Sequence, residues 1–393
     1  MTDRTSVLPQ QLPTDFQRPV FCLLGVAFDI IDMPTVLARL KQAARERSRL
    51  VLSTPNVNNI VTVQRNADYR DAVAGCELVV PDGMPLVWLA RLLGIRTRRI
   101  AGSDLFQWLM NGDVGPLRVF FFGAPEGVAK TACERLNRDG GPVSGAGWHY
   151  PGFGSVAEMT ATEVLASINA AAPDFVVVAL GTAKGQQWIE RAGNGLTAPL
   201  LSHLGAVVNF VAGSVRRAPL WMQNLGFEWL WRIREEPALW RRYATDGAAL
   251  GGLCVRSVLP LVLRRIWRRV LPVRSSAHIE LAALEAGQKR LTVSGNWLPA
   301  DVGALRDTLT ALTATDSAVV IDAQSLGWVD HTFIGLLIRL YGHQKKRGQR
   351  FLIDRPSAAL ARQLRWHCAG YLLAPLLVTD IHFTKNGAQA WKQ

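Results

Sequence analysis

The first 215 of the 393 residues alternate short β-branched and aromatic runs with amphipathic stretches of helical period, and this alternation limits the fold more than any other feature of the chain. Residues 21–27, 50–53, 77–80, 117–122, 175–180 and 206–211 read as strands. Between them, 34–45, 84–93, 126–138, 157–170 and 184–191 read as helices. Such a pattern predicts an α/β domain with a Rossmann-like, mostly parallel sheet. Sheets of this kind bind ligands beyond the carboxyl ends of their strands, so the residues just after each run are the first candidates for function.

Thr54-Pro55-Asn56 follows the second run and Pro81-Asp82-Gly83 the third. A carboxylate between strand and helix, beside a glycine that lets a ligand approach closely, is placed to act as a general base. The same residue types also serve locally: Asp82 as a helix cap, Thr54 or Asn56 as turn formers. In Ala101-Gly102-Ser103-Asp104, either Ser103 or Asp104 reads as a cap. The βα turns Gly123-Ala124-Pro125-Glu126-Gly127 and Gly181-Thr182-Ala183-Lys184-Gly185 open helices with backbone N–H groups that suit a phosphate or a sugar hydroxyl, and Gly123, Gly181 and Lys184 are candidate contacts. Neither turn is a GxGxxG or a P-loop, yet two in one sheet favour a nucleotide-type ligand. Asp-x-Asp, HExxH and paired histidines at ligand spacing do not occur, so neither a metal nor another cofactor is expected. If a nucleoside diphosphate leaves from this domain, arginines must stabilise its charge.

Arginine is concentrated where that role needs it. The chain has a formal net charge of +13, and residues 213–274 hold twelve arginines and no lysine against four acids. Five of the thirteen tryptophans fall in the same stretch. Two helices, 219–236 and 238–245, opened by Pro219 and Pro237, are expected there, followed by a basic amphipathic connector at 247–275. Arginine and tryptophan at helical spacing suit an anionic membrane surface; a solvated face on helices packed against the domain is the plainer alternative. Arg256, Arg264 and Arg265 interrupt the apolar run, which argues for a helix lying on a bilayer rather than crossing it. Nucleic acid is not expected as a partner, because no helix-turn-helix, RNP, KH or zinc-finger pattern is present. Five cysteines without a CxxC pair, and an early apolar run broken by Asp29 and Asp32, fit a cytoplasmic protein. From residue 276 the strand–helix pattern restarts, which divides the chain into a first domain (1–246), the connector, and a small α/β domain (276–393).

Several motifs carry a resemblance to a known family. TPNVNNIVTVQRNADYRDA (54–72), LVVPDGMPLVW (78–88), AGSDL (101–105), FFFGAPEGVA (120–129), PDFVVVALGTAKGQQW (173–188) and the stretch 206–243 resemble, in order, the WecG/TagA/CpsF glycosyltransferases, family 26. The resemblance implies an inverting, metal-independent transferase that moves a sugar from a UDP-sugar to a polyprenyl-diphosphate-linked acceptor in surface polysaccharide synthesis, at the inner face of the membrane. Carried over, Asp82 would be the base, with Thr54, Asn56 and Gly83 in its pocket. Arg217, Arg232, Arg241 and Arg242 would close over the diphosphate. Two departures stand out. Ala183-Lys184-Gly185-Gln186 replaces the usual Pro-Lys-Gln-Glu, and Val208-Asn209-Phe210 replaces Phe-Asp-Phe, which puts the contacts of Gly185 and Asn209 in question.

Residues 291–309 and 319–340 resemble the STAS domain of anti-sigma-factor antagonists, whose Asp-Ser-Ser/Thr-Gly turn is phosphorylated on its first serine. Here the turn is Asp330-His331-Thr332-Phe333, so only Thr332 offers a hydroxyl and a protein-binding module without serine switching is expected. A competing expectation makes the whole chain a scaffold, with a transferase-like domain that binds ligand without turnover and a STAS-like domain that recruits partners.

Overall fold

The computed structural model describes residues 10–11, 14–284 and 287–376. Its first domain is built on seven strands: β1 (Gln10–Gln11), β4 (Ser48–Ser53), β5 (Leu78–Val79), β6 (Leu117–Gly123), β7 (Val143–His149), β8 (Phe175–Ala179) and β9 (Leu200–His203). They run in the order β1-β4-β9-β8-β6-β7, with β5 sharing the β4 edge, and every pairing is parallel. Helices cover both faces, and two buried apolar clusters fill the space between sheet and helices. The α/β, Rossmann-like expectation therefore holds.

Local departures have local causes. Residues 21–27 form not one strand but a hairpin, β2 (Val20–Leu23) with β3 (Val26–Asp29), because Leu24 and Gly25 both take positive φ and turn the chain. Residues 206–211 are not a strand but lie in the helix Gly205–Ala212, whose Val207, Val208 and Val211 share one buried face. The strand is the short Leu200–His203 just before it. Helix 219–236 is interrupted at Gly226 into Leu220–Asn224 and Glu228–Glu235.

The largest correction concerns the connector. Residues 237–270 form one continuous helix, long and apolar enough by length and composition to cross a membrane, so the arginines do not exclude a span, contrary to expectation. Between Gly247 and Leu263 the only charged residue is Arg256.

The C-terminal domain carries a four-stranded sheet, β10 (His278–Ala283), β11 (Lys289–Ser294), β12 (Val319–Asp322) and β13 (Phe351–Asp354), in sequential order. Its core includes Phe333, Leu337 and Leu340 of the helix His331–Lys346. The β2–β3 hairpin joins the two domains through its period of two: Val20, Cys22 and Ala27 enter the C-terminal core, while Phe21, Val26 and Phe28 enter the core of the first domain.

Candidate active site

A cleft of about 880 Å³ opens at the carboxyl ends of the strands, between the sheet and the arginine-rich appendage. Thr54, Asn56, Asp82, Gly83, Gly181, Asn209, Arg232 and Arg242 line it. Asp82 lies three residues past β5 and is half-buried, and its backbone N–H donates to the Pro55 carbonyl at 2.9 Å. It does not cap the next helix, Met84–Leu92: that position belongs to Gly83, whose φ of +116° is open to glycine and strained for other residues. The Asp82 side chain is therefore available to the cleft.

Burial pushes the Asp82 carboxyl up to about 7. Nearby Glu228 and Asp104 push the same way, against Arg99 and a hydrogen bond from the Gly102 backbone. This group of charges is tightly linked. Arg99 donates to Glu228 Oε2 at 3.1 Å and to Asp104 Oδ2 at 2.7 Å, and Arg217 bonds the other Asp104 oxygen. Glu228 belongs to the appendage, so docking of that segment brings a carboxylate to Asp82 and arginines to the cleft.

Two further contacts hold the appendage over the cleft. Thr182 donates to Asn58 Oδ1 at 2.8 Å, and Asn58 Nδ2 donates to buried Asp246 of the long helix at 3.0 Å. Arg232 and Arg217 lie over the Phe210 ring at 5.3 and 5.8 Å, beside Asn209. Arg242 lies over Tyr243 at 5.4 Å.

Other candidates have different surroundings. Asn56 caps the helix Val57–Arg65 in a reciprocal arrangement with Asn59, which occupies its side chain. Gly123 ends β6 outside the cleft lining, where the Ala124 N–H reaches the Ala179 carbonyl at 2.6 Å. Lys184 points away, donating to the Gly154 carbonyl at 2.7 Å. Arg217 is absorbed by Asp104 and Gln223 Oε1 at 3.1 Å, and Arg241 lies over Trp240 at 5.6 Å, outside the cleft lining. In the C-terminal turn, Asp330 caps its helix through the Phe333 N–H at 2.8 Å. His331 Nδ1 faces His367 Nε2 at 2.9 Å, and burial holds both rings below the usual histidine range. The Thr332 hydroxyl bonds Asp330.

Sequence patterns do not single out Arg99, Glu228 or His203, and they mark Asp104 only as a cap. His203 lines the cleft, bonded through Nε2 to the Leu180 carbonyl at 2.7 Å, and burial lowers its pKa. It also accounts for one departure: a Cβ at Gly185 would run into the His203 ring. The imidazole fills the space next to position 185, where the resemblance leads one to expect glutamine. Among the described residues no group of three histidine, cysteine or acidic side chains is placed to hold a metal.

A parallel sheet with a cleft at its carboxyl edge, holding a carboxylate of raised pKa and arginines from a docked appendage, has the layout of an α/β enzyme site that binds an anionic ligand. Comparison with known proteins gives the class. Residues 21–262 match the Glycosyl transferase WecG/TagA/CpsF family, and residues 282–367 match the Mlab, STAS domain family. A relative from Bacillus spizizenii strain W23, an N-acetylglucosaminyldiphosphoundecaprenol N-acetyl-beta-D-mannosaminyltransferase, is 31% identical over 195 residues, 49% of this chain and 73% of its own. Proteins of the same name from Bacillus subtilis strain 168 and Staphylococcus aureus strain MW2 are 30% and 26% identical, covering 49% and 56% of this chain and 74% and 85% of theirs. The chain belongs to the WecG/TagA/CpsF glycosyltransferase family and carries a C-terminal region similar to STAS domains.

Proposed function

We propose that the enzyme transfers a sugar from a UDP-sugar to a polyprenyl-diphosphate-linked saccharide, with inversion and without a metal, for a cell-surface polymer. The observation that carries this reading is the raised carboxyl of Asp82 in a cleft that Arg232 and Arg242 also line. Ionised Asp82 takes the proton of the acceptor hydroxyl as that oxygen attacks the anomeric carbon. The bond to the diphosphate breaks on the opposite face, and the arginines neutralise the departing UDP. The acceptor class is supported by the relatives, whose name specifies a diphosphoundecaprenol-linked acceptor. The test is a panel of UDP-sugars with a short-chain polyprenyl-diphosphate N-acetylglucosamine. UDP release with a defined product, unchanged by EDTA, is expected. Donor binding without turnover across the panel would overturn transfer in favour of a scaffold.

The long helix is proposed to lie on the cytoplasmic membrane surface. One stripe packs inward through Leu250, Leu253, Cys254, Leu261 and Val262, and Arg265 donates to the Leu92 carbonyl at 2.9 Å. Arg268 stacks 3.5 Å from the Trp328 ring centroid. The other stripe, Val255, Leu259, Leu263, Ile266, Trp267 and Val270, is exposed, with Trp267 65% accessible. A spanning helix would surrender those inward contacts; an interfacial one keeps them and buries the exposed stripe in lipid. The chain is expected to sediment with vesicles containing phosphatidylglycerol, less so as salt rises, and Trp267→Glu with Ile266→Glu should weaken binding several-fold. Equal binding to neutral vesicles would contradict the electrostatic part.

A further inference from the structure

The helix His331–Lys346 of the C-terminal domain presses against the transferase domain rather than facing solvent. Its glycines allow backbone contact: a Cβ at Gly342 would run into the Ala74 carbonyl, and one at Gly335 would stand 3.1 Å from the Phe21 backbone. Charged side chains on the same helix then reach into the transferase. Arg339, 3% exposed, donates through Nη1 to the Cys76 carbonyl at 2.6 Å and through Nη2 to Asp29 Oδ2 at 2.5 Å. That same Asp29 oxygen accepts the Val79 N–H at 2.8 Å. Lys346 pairs with Glu77, whose other oxygen holds the Val51 N–H at 2.8 Å, while Lys345 and Tyr341 bond Asp71. These bonds converge on residues 71–79, the approach to Asp82, and on Asp29 beside them.

The strand they hold has little support of its own. β5 is two residues long and pairs with β4 only through Leu52 and Ser53. Beyond it, the Val80 N–H reaches the Ser53 carbonyl at 3.0 Å and the Asp82 N–H the Pro55 carbonyl at 2.9 Å, both on the β4 side. A short edge strand with so few ladder bonds needs outside anchors to hold the next residues of the chain in place.

Building on the reading of Asp82 as base, we infer that the C-terminal domain is part of the transferase site, with Arg339 as a positioning residue that fixes residues 76–79 and through them Asp82. A guanidinium fork offers a backbone carbonyl and a carboxylate separate N–H groups in a fixed planar geometry, where an ammonium is a compact point charge on a flexible stem.

The test uses the full chain, with Arg339→Gln, Arg339→Lys and a control, Leu309→Ala, which opens the C-terminal core at a residue that makes none of these bonds. Hydrogen exchange at the amides of Val79, Val80 and Asp82 is expected to speed up about tenfold in Arg339→Gln and less in Arg339→Lys, which keeps the charge. In Leu309→Ala those amides should keep their wild-type rates although the melting temperature falls. For transfer, kcat should fall roughly tenfold to a hundredfold in Arg339→Gln with KM for the donor unchanged. Unchanged exchange at these amides in a folded Arg339→Gln or Arg339→Lys protein would overturn the inference, as would a Leu309→Ala protein that loosens them equally. If the wild type transfers no sugar, the functional reading falls, and the exchange comparison still decides the role of Arg339.

Discussion

Asp82→Asn is expected to give a folded protein whose kcat falls by about 10²–10⁴-fold, the range that a positioned general base supplies. The wild-type pH profile should show why. As the proposed base, Asp82 must be ionised to accept the acceptor proton, and burial beside Glu228 and Asp104 brings its carboxyl to about 7. Activity should therefore rise with pH through about 7 and level off above it. The same shift has a consequence for stability, with the opposite sense. A carboxyl whose pKa is higher folded than unfolded favours the folded state fully only below its unfolded value of 3.8, and that contribution is lost as pH rises through about 7. Asparagine carries no such charge. Melting curves should nearly coincide at pH 4, and by pH 8 Asp82→Asn should melt higher than wild type. An Asp82→Asn protein with wild-type turnover, or one that melts lower at pH 8, would remove Asp82 from its assigned place.

That Asp82 is a candidate at all was readable from local sequence, because a carboxylate and a glycine between a strand and a helix carry their geometry with them. The tuning of Asp82 was not. Arg99, Asp104 and Glu228 lie on separate elements, and only the docked appendage brings Glu228 to Asp82. Lys184 shows the converse: its βα turn suggests a ligand contact, but the side chain leaves the cleft for the Gly154 carbonyl. The fold divides along the same line. Long periodic helices and the strands β4, β6 and β8 were legible from their patterns. β7 was not, because Gly145 and Gly147 give it little strand propensity, and Gly147 packs its backbone on the Phe120 ring. Nor does periodicity reveal the seam between domains. The hairpin at residues 20–29 reads as one apolar run, although its two faces belong to two cores.

The appendage arginines separate by position, and this gives the second large effect. Arg232 lines the cleft and is braced over Phe210, whereas Arg241 rests on Trp240 outside the cleft lining. If Arg232 meets the departing diphosphate, its bond strengthens as charge builds on the leaving oxygen, so its loss should fall on kcat. Removing one such donor typically costs about 10²–10³-fold. Arg232→Ala should therefore lose that much in kcat and also bind UDP more weakly, and added guanidinium should restore part of the rate. Arg241→Ala should stay within about threefold of wild type, as expected for a surface side chain. The measurement needs a short-chain, soluble acceptor, which takes membrane contact out of both variants. Under those conditions equal losses at Arg232 and Arg241 would mean that the arginines act through general charge rather than on the diphosphate. A loss confined to Arg232 and answered by guanidinium places the leaving-group site between Phe210 and Asp82, under the same appendage that carries Glu228 to Asp82.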